Sequence, residues 1–190
     1  MIFRIDEHRQ QVSYTRFELV CREIWSFAQP VFRWSPRAFN DYRNFLLRCF
    51  GAKIGRGVRI DPTTRIFAPW ELTIEDDVTI ERDVNVDNIG PITIGSNSII
   101  SRNTQLCAAS HDFHQHSMPL VRCPIQVGSN VWIGSDAFVG PGVAVGESAV
   151  VGPRASVFSD VESGTVVVGN PATVISVREP AVASETKAAA

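Results

Sequence analysis

Residues 127–157 read VGSNVW IGSDAF VGPGVA VGESAV VGPRAS V: five consecutive six-residue units, each opening on Val or Ile followed by Gly. The same lead position recurs upstream at Leu106, Ile100 and Ile94, at Val86, Ile80 and Ile74, and at Ile66, Ile60 and Ile54. All 15 leads are aliphatic although Val, Ile and Leu supply only 45 of the 190 residues, so the period is not a by-product of composition. A short period of this kind marks a β-solenoid, whose units bury their apolar side only by stacking on one another. Three hexads, or 18 residues, complete one coil with three short faces, and each lead points inward. The fourth residue after the lead is small or β-branched at Val58, Val78, Val84, Thr104, Ala137, Val143, Ala149 and Ala155, which suits a second inward position near a corner. Gly after the lead admits a tight backbone approach that a Cβ would resist.

Shifts in register locate the loops. The coils begin at Ile54, Ile74, Ile94, Val127 and Val145. The first two intervals are 20 residues and the last is 18, but the interval from Ile94 to Val127 is 33, which places one insertion of 15 residues after the ninth hexad. Long insertions on rigid scaffolds are where binding and catalytic groups gather. This one opens at Ser110-His111-Asp112 and carries three of the four histidines, His111, His114 and His116.

The 44% hydrophobic and 20% charged residues are ordinary for a soluble globular chain, with a single domain plus appendages at this length. The net charge of −2 conceals an asymmetry. Residues 1–59 hold 11 Lys and Arg against 5 Asp and Glu, and residues 60–190 hold 7 against 15. A basic arm packed on an acidic solenoid explains this, and so does contact with an anionic membrane surface. Nucleic acid is not an expected partner, because the solenoid shows no basic face with stacking aromatics. Cys21, Cys49, Cys107 and Cys123 have no metal-type spacing, so free thiols and a cytoplasmic location, at most at the inner face of the membrane, are expected. The first residues carry no signal-like apolar stretch, and no apolar run approaches the roughly 20 residues that cross a bilayer.

The organisation expected is an N-terminal arm over 1–50, a solenoid over 51–168 with a loop at 111–125, and a closing segment with an unstructured tail over 169–190. In the arm, Phe39, Tyr42, Leu46, Leu47 and Phe50 fall at helical spacing, with Asn40, Asp41, Arg43 and Asn44 on the other side. Trp25, Phe27, Phe32 and Trp34 are mixed with Pro30 and Pro36, which predicts one short helix within an otherwise irregular cap over the first coil. Val166 to Val168 reads as a last strand, against which Val174, Ile175 and Val177 are expected to pack.

With these stretches assembled, the chain resembles the hexapeptide-repeat acyltransferases over about residues 51–178, most of all the O-acetyltransferases of colanic acid and related exopolysaccharide biosynthesis. The stretches that carry the resemblance include Arg43 to Gly55, Pro69-Trp70-Glu71-Leu72, Asp87 to Gly95, Ser110-His111-Asp112, Val131-Trp132-Ile133-Gly134 and Gly169-Asn170-Pro171-Ala172. The resemblance implies an all-β solenoid of left-handed parallel β-helix type; the period alone does not set its hand. It further implies a homotrimer, acetyl-CoA as co-substrate with no metal, and transfer of acetyl to a hydroxyl of a saccharide acceptor, nucleotide- or lipid-linked.

His111 matches the family's catalytic histidine. A hydroxyl is a weak nucleophile, and imidazole suits removal of its proton at neutral pH. Asp87, Asn88 and Asp112 are candidates for the acceptor, although turn chemistry alone also explains Asp87 and Asn88. Asn-type residues that hold the acceptor in sugar acetyltransferases correspond here to Glu81 and Asp83, a departure. Trp132, Ser135, Gly152 and Pro153 are implied for the pantetheine arm of CoA. Ser159 and Thr173 replace the usual basic residues, which leaves Arg154 and Arg178 for the phosphates. Cys107 offers an acetyl-cysteine route, disfavoured by the family's direct transfer. Two other classes stay open on the residues: a zinc carbonic-anhydrase-like β-helix using His111, His114 and His116, and a non-catalytic scaffold. Against the zinc site, the three histidines lie within six residues, whereas a site built across coils spreads its ligands along the chain.

Overall fold

The computed structural model describes residues 14–178, so the tail expected from Pro180 lies outside the described residues. Short parallel strands stack into three sheets, the three faces of a prism. The first face comprises Lys53–Ile54, Leu72–Ile74, Ile92–Ile94, Ile125–Val127 and Ala144–Val145. The second comprises Arg59–Ile60, Thr79–Ile80, Ile99–Ile100, Trp132–Ile133, Val150–Val151 and Thr165–Val168, closed by an antiparallel Thr173–Val177. The third comprises Arg65–Ile66, Asn85–Asp87, Gln105–Cys107, Phe138–Val139 and Ser156–Val157. Ile54, Ile74, Ile94, Val127 and Val145 are successive register partners, so every coil starts where the hexads place it. The leads and the residues four beyond them are buried together in one continuous core. The architecture is the left-handed parallel β-helix, an exception to the right-handed crossover preference of parallel strands.

Two local rules shape the coils. Gly after the lead is needed for crowding between coils: a Cβ on Gly95 would lie 2.6 Å from the Gly128 backbone, and one on Gly134 2.6 Å from Pro153 N. The corner itself falls two residues later, where Asp77, Asp83, Asn97, Asn103, Asn130 and Asp136 adopt φ of 58–60°. Asp and Asn tolerate this left-handed conformation better than other side chains with a Cβ.

The arm holds two helices rather than one, α1 (Arg16–Arg33) and α2 (Asn40–Cys49). Thr15 and Glu18 form a reciprocal capping box that starts α1. Pro30 is accommodated within its last turn. The expected apolar side of α2 packs only in part: Leu47 is buried and Leu46 and Phe50 rest on the core, but polar residues turn inward beside them. Arg43, Asn44 and Leu47 are buried, whereas Phe39, Tyr42 and Phe45 are exposed. The reason lies in the direction of the coil's hydrogen bonds. Strand N–H groups of each coil donate to carbonyls of the next, as Gly55 N does to Ile74 O at 2.8 Å, so the strand carbonyls of the first coil have no coil before them. The arm supplies the missing donors. Arg48 donates to Ile54 O at 2.8 Å, Asn44 to Val58 O at 2.8 Å, Arg43 Nε to Ile60 O at 2.8 Å, and Trp25 Nε1 to Ile66 O at 2.8 Å. Satisfying such a carbonyl edge requires polar side chains facing inward.

At the far end, Thr173–Val177 pairs with Thr165–Val168, but Val174, Ile175 and Val177 are exposed rather than packed as expected.

Candidate active site

The 15-residue insertion forms a hairpin in which Ala109–His111 pairs antiparallel with Leu120–Arg122. It leaves the edge between the third and first faces, after Gln105–Cys107 and before Ile125. Cys123 N donates to Ala108 O at 2.9 Å and closes its base. Arg122 ties the base to the arm and the second coil, lying 2.6 Å from Glu18 Oε1 and 3.5 Å from Glu71 Oε1.

His111 sits exposed at the end of its strand, with Nδ1 2.8 Å from Met118 O. A carbonyl only accepts, so Nδ1 carries the proton of the neutral ring and Nε2 carries the basic lone pair. Met118 presents that carbonyl from a left-handed backbone conformation, φ 42°, which is costly for a side chain of its kind. Nothing in the hexad pattern pointed to Met118.

The other candidates divide. Asp112 does not orient His111: its carboxylate accepts from His114 N at 3.0 Å and Gln115 Nε2 at 2.7 Å, forming the turn of the loop. Those bonds, that of Gln115 foremost, hold its carboxyl below the usual range. Asn88 is fully buried, and its amide joins Phe67 N, Ala68 N and Ala68 O of the preceding coil. Buried in this way, Asn88 is a coil-to-coil brace and not the acceptor ligand expected from the sequence. Asp87 is half-buried one coil below Cys107, with Oδ2 3.8 Å from Cys107 Sγ. Burial pushes the Cys107 thiol up, and the Asp87 carboxylate beside it acts in the same direction. A thiol so held is a poor nucleophile. Glu81 accepts from Arg102 N at 2.9 Å.

The residues implied for CoA lie elsewhere on the prism. Trp132 is 46% exposed on the second face and donates to Ser101 Oγ at 3.1 Å. Ser135 and Arg154 follow at the edge between the second and third faces, joined by Arg154 N to Ser135 O at 2.8 Å, with Gly152 and Pro153 beside them. Gly152 is buried, and a Cβ there would meet Val168 Cγ1 at 2.6 Å. Arg178 is separate, clamped to Asn130 O at 2.8 Å and Ser148 O at 3.3 Å on the opposite edge of the second face. Thus one chain gathers Trp132, Ser135, Gly152, Pro153 and Arg154 along one edge and holds His111 on another. Among the described residues, His, Cys, Asp and Glu form no group of three or more able to hold a metal ion, and no helix is long and apolar enough to cross a membrane.

No protein-family model matches the chain. The Escherichia coli K12 protein named "Putative colanic acid biosynthesis acetyltransferase WcaF" is 44% identical over 151 residues, covering 80% of this chain and 83% of that protein. The chain belongs to the hexapeptide-repeat acetyltransferases. Acyl transfer is accordingly its enzyme class. The galactoside O-acetyltransferase of the same organism is 29% identical over 148 residues, covering 70% of this chain and 67% of that protein. Among solved structures, a hexapeptide-repeat containing acetyltransferase from Vibrio cholerae complexed with acetyl coenzyme A superposes with a TM-score of 0.81 at 24% identity, covering 89% of this chain and 93% of that one. At that identity the likeness shows the fold.

Proposed function

We propose that the chain is an acetyl-CoA-dependent O-acetyltransferase that modifies a saccharide hydroxyl in exopolysaccharide biosynthesis, by direct transfer with His111 as general base. The hydrogen bond from His111 Nδ1 to Met118 O carries this reading, because it leaves Nε2 as the proton acceptor on a rigid hairpin. Nε2 removes the acceptor proton as the hydroxyl oxygen attacks the thioester carbonyl, and coenzyme A leaves as the thiol. Backbone N–H groups along the Trp132–Pro153 edge stabilise the developing oxyanion. Trp132 and Ser135 line the pantetheine arm, with Arg154 near the phosphates; Asp87 faces the acceptor. The name of the WcaF relative supports the saccharide class, and the acetyl coenzyme A in the Vibrio cholerae structure supports the donor. Since one chain places His111 and the CoA residues on different edges, the working site lies between neighbouring subunits of a homotrimer.

α1 also bears an exposed apolar stripe, Phe17, Val20, Ile24, Phe27, Val31 and Trp34, at the alternating three- and four-residue spacing of one helix face. With the excess of basic residues in the arm, the stripe supports contact with the anionic surface of the inner membrane, where a lipid-linked acceptor is met.

Acetyl transfer from labelled acetyl-CoA, screened against nucleotide sugars and polyprenyl-linked glycans, tests the activity. His111→Ala is expected to lower turnover by about 10²–10⁴-fold while acetyl-CoA still binds, since general-base catalysis acts mainly on the transition state. Near-normal turnover in this variant overturns the mechanism.

A further inference from the structure

Arg37, Arg59, Arg82 and Arg102 converge on an open groove of about 450 Å³ between the arm and the trailing edge of the second face. Arg82 and Arg102 occupy equivalent positions on successive coils, each two residues beyond the register partners Ile80 and Ile100. Neighbouring strands lie about 4.8 Å apart, so the two arginines leave the backbone one coil apart at the same edge and line the same groove. Of the acids in the groove, Asp61 pairs with Arg37 and Glu81 accepts from a backbone N–H, so neither forms an ion pair with Arg59, Arg82 or Arg102. Asp61 Oδ1 accepts from Thr63 N at 3.0 Å and Thr63 Oγ1 at 2.7 Å, and its other oxygen lies 3.5 Å from Arg37. Glu81 is engaged by the backbone N–H of Arg102. Among the described residues, Arg59, Arg82 and Arg102 form no ion pair. This concentration runs against the acidic balance of the solenoid.

Guanidinium forks match phosphate oxygens two at a time, and a ladder of them on consecutive coils fits two linked phosphates better than one carboxylate. The groove has the size of a small-molecule site, and Ile60, Thr79 and Ile80 give it a partly apolar floor. We propose that this groove binds the diphosphate of the activated saccharide acceptor. The assignment of that diphosphate to an acceptor rests on the acetyltransferase reading above; the anion site itself does not.

Titration of the full chain with inorganic diphosphate at low salt tests the site. Arg82→Gln/Arg102→Gln is expected to weaken binding by about tenfold or more per guanidinium removed, without a change in Tm. Arg102→Lys, which keeps the charge and loses the fork, should fall between. Arg56→Gln, outside the groove and paired with Asp76, should bind as the wild type does. A nucleoside-diphosphate sugar and a short-chain polyprenyl-diphosphate sugar serve as competitors, and whichever displaces diphosphate identifies its source. Equal affinity of wild type and double variant, equal sensitivity of Arg56→Gln, or displacement by neither competitor overturns the proposal. The titration needs no acetyl transfer. A protein that binds diphosphate through these arginines and transfers no acetyl group would overturn the enzymatic reading and leave the anion site standing.

Discussion

His111, His114 and His116 lie within one loop, and His111 has its ring fixed against the main-chain carbonyl of Met118 at 2.8 Å. The His114 ring rests on Phe113, with centroids 4.4 Å apart, and its backbone N–H is held by Asp112. Replacing His114 or His116 by Ala is therefore expected to cost less than about tenfold in turnover, against the far larger loss at His111. Cys107→Ala should leave steady-state rates nearly unchanged, because no thiolate is required; an inactive variant that still folds would revive the acetyl-cysteine route. Gly95 and Gly134 respond in another way. Adding a methyl at either forces backbone apart at 2.6 Å, so Gly95→Ala should destabilise by about 1–3 kcal/mol, read as a lower denaturant midpoint at constant m. Asp112 and Asn88 show where residue-level reading from sequence fails. Both are polar residues at a loop mouth, but one is consumed by its own turn and the other by the coil below, and only three-dimensional neighbours reveal that.

At the scale of elements, the arm, the hairpin and the second coil are tied through Arg122. The Thr15 backbone N–H, then Arg122, hold the Glu18 carboxyl below the ordinary range, whereas burial pushes Glu71 up. A depressed carboxylate contributes stability above its unfolded value, near pH 4–5, and loses it as pH falls through the lower folded value. Glu71 contributes with the opposite sign, favouring its protonated form in the fold. The Tm difference between wild type and Arg122→Gln is thus expected to be positive at pH 7, corresponding to about 1 kcal/mol, and to shrink below pH 4. A difference that persists unchanged at pH 3 would show that packing rather than charge holds the hairpin base. Deleting residues 1–50 should lower Tm and solubility sharply, since it uncovers Ile54, Ile60 and Ile66 and strips the donors from their carbonyls. The coils were legible from the hexads down to the register of each strand, because one period dictates both burial and pairing. The arm was legible only in part: the helix over Asn40–Cys49 and its packed Leu46, Leu47 and Phe50 follow apolar periodicity, whereas unpaired carbonyls turn Arg43 and Asn44 inward. The Thr15–Glu18 spacing is the sequence signal for the start of α1, and Pro30 and Pro36 mask it because proline disfavours a helix interior.

For the whole molecule, the proposed mechanism makes assembly a condition of activity, because one chain holds His111 apart from Trp132 and Ser135. Sedimentation is expected to show a trimer of closed symmetry. Mixing inactive His111→Ala chains with inactive Trp132→Ala chains should restore part of the activity, because some interfaces then join an intact base to an intact CoA edge. A fully active monomer, or mixtures as inactive as their parents, would place the site within a single chain. The direction of the strand hydrogen bonds along the prism has a separate consequence. The strand N–H groups donate mainly forward, whereas the corner residues donate back, so the two ends of the stack are chemically unlike, one richer in acceptors and the other in donors. Such ends are complementary to each other. Arg48, Asn44, Arg43 and Trp25 at one end, and the reversed strand Thr173–Val177 at the other, therefore act as stoppers against head-to-tail polymerisation. A protein stripped of both would be a filament former.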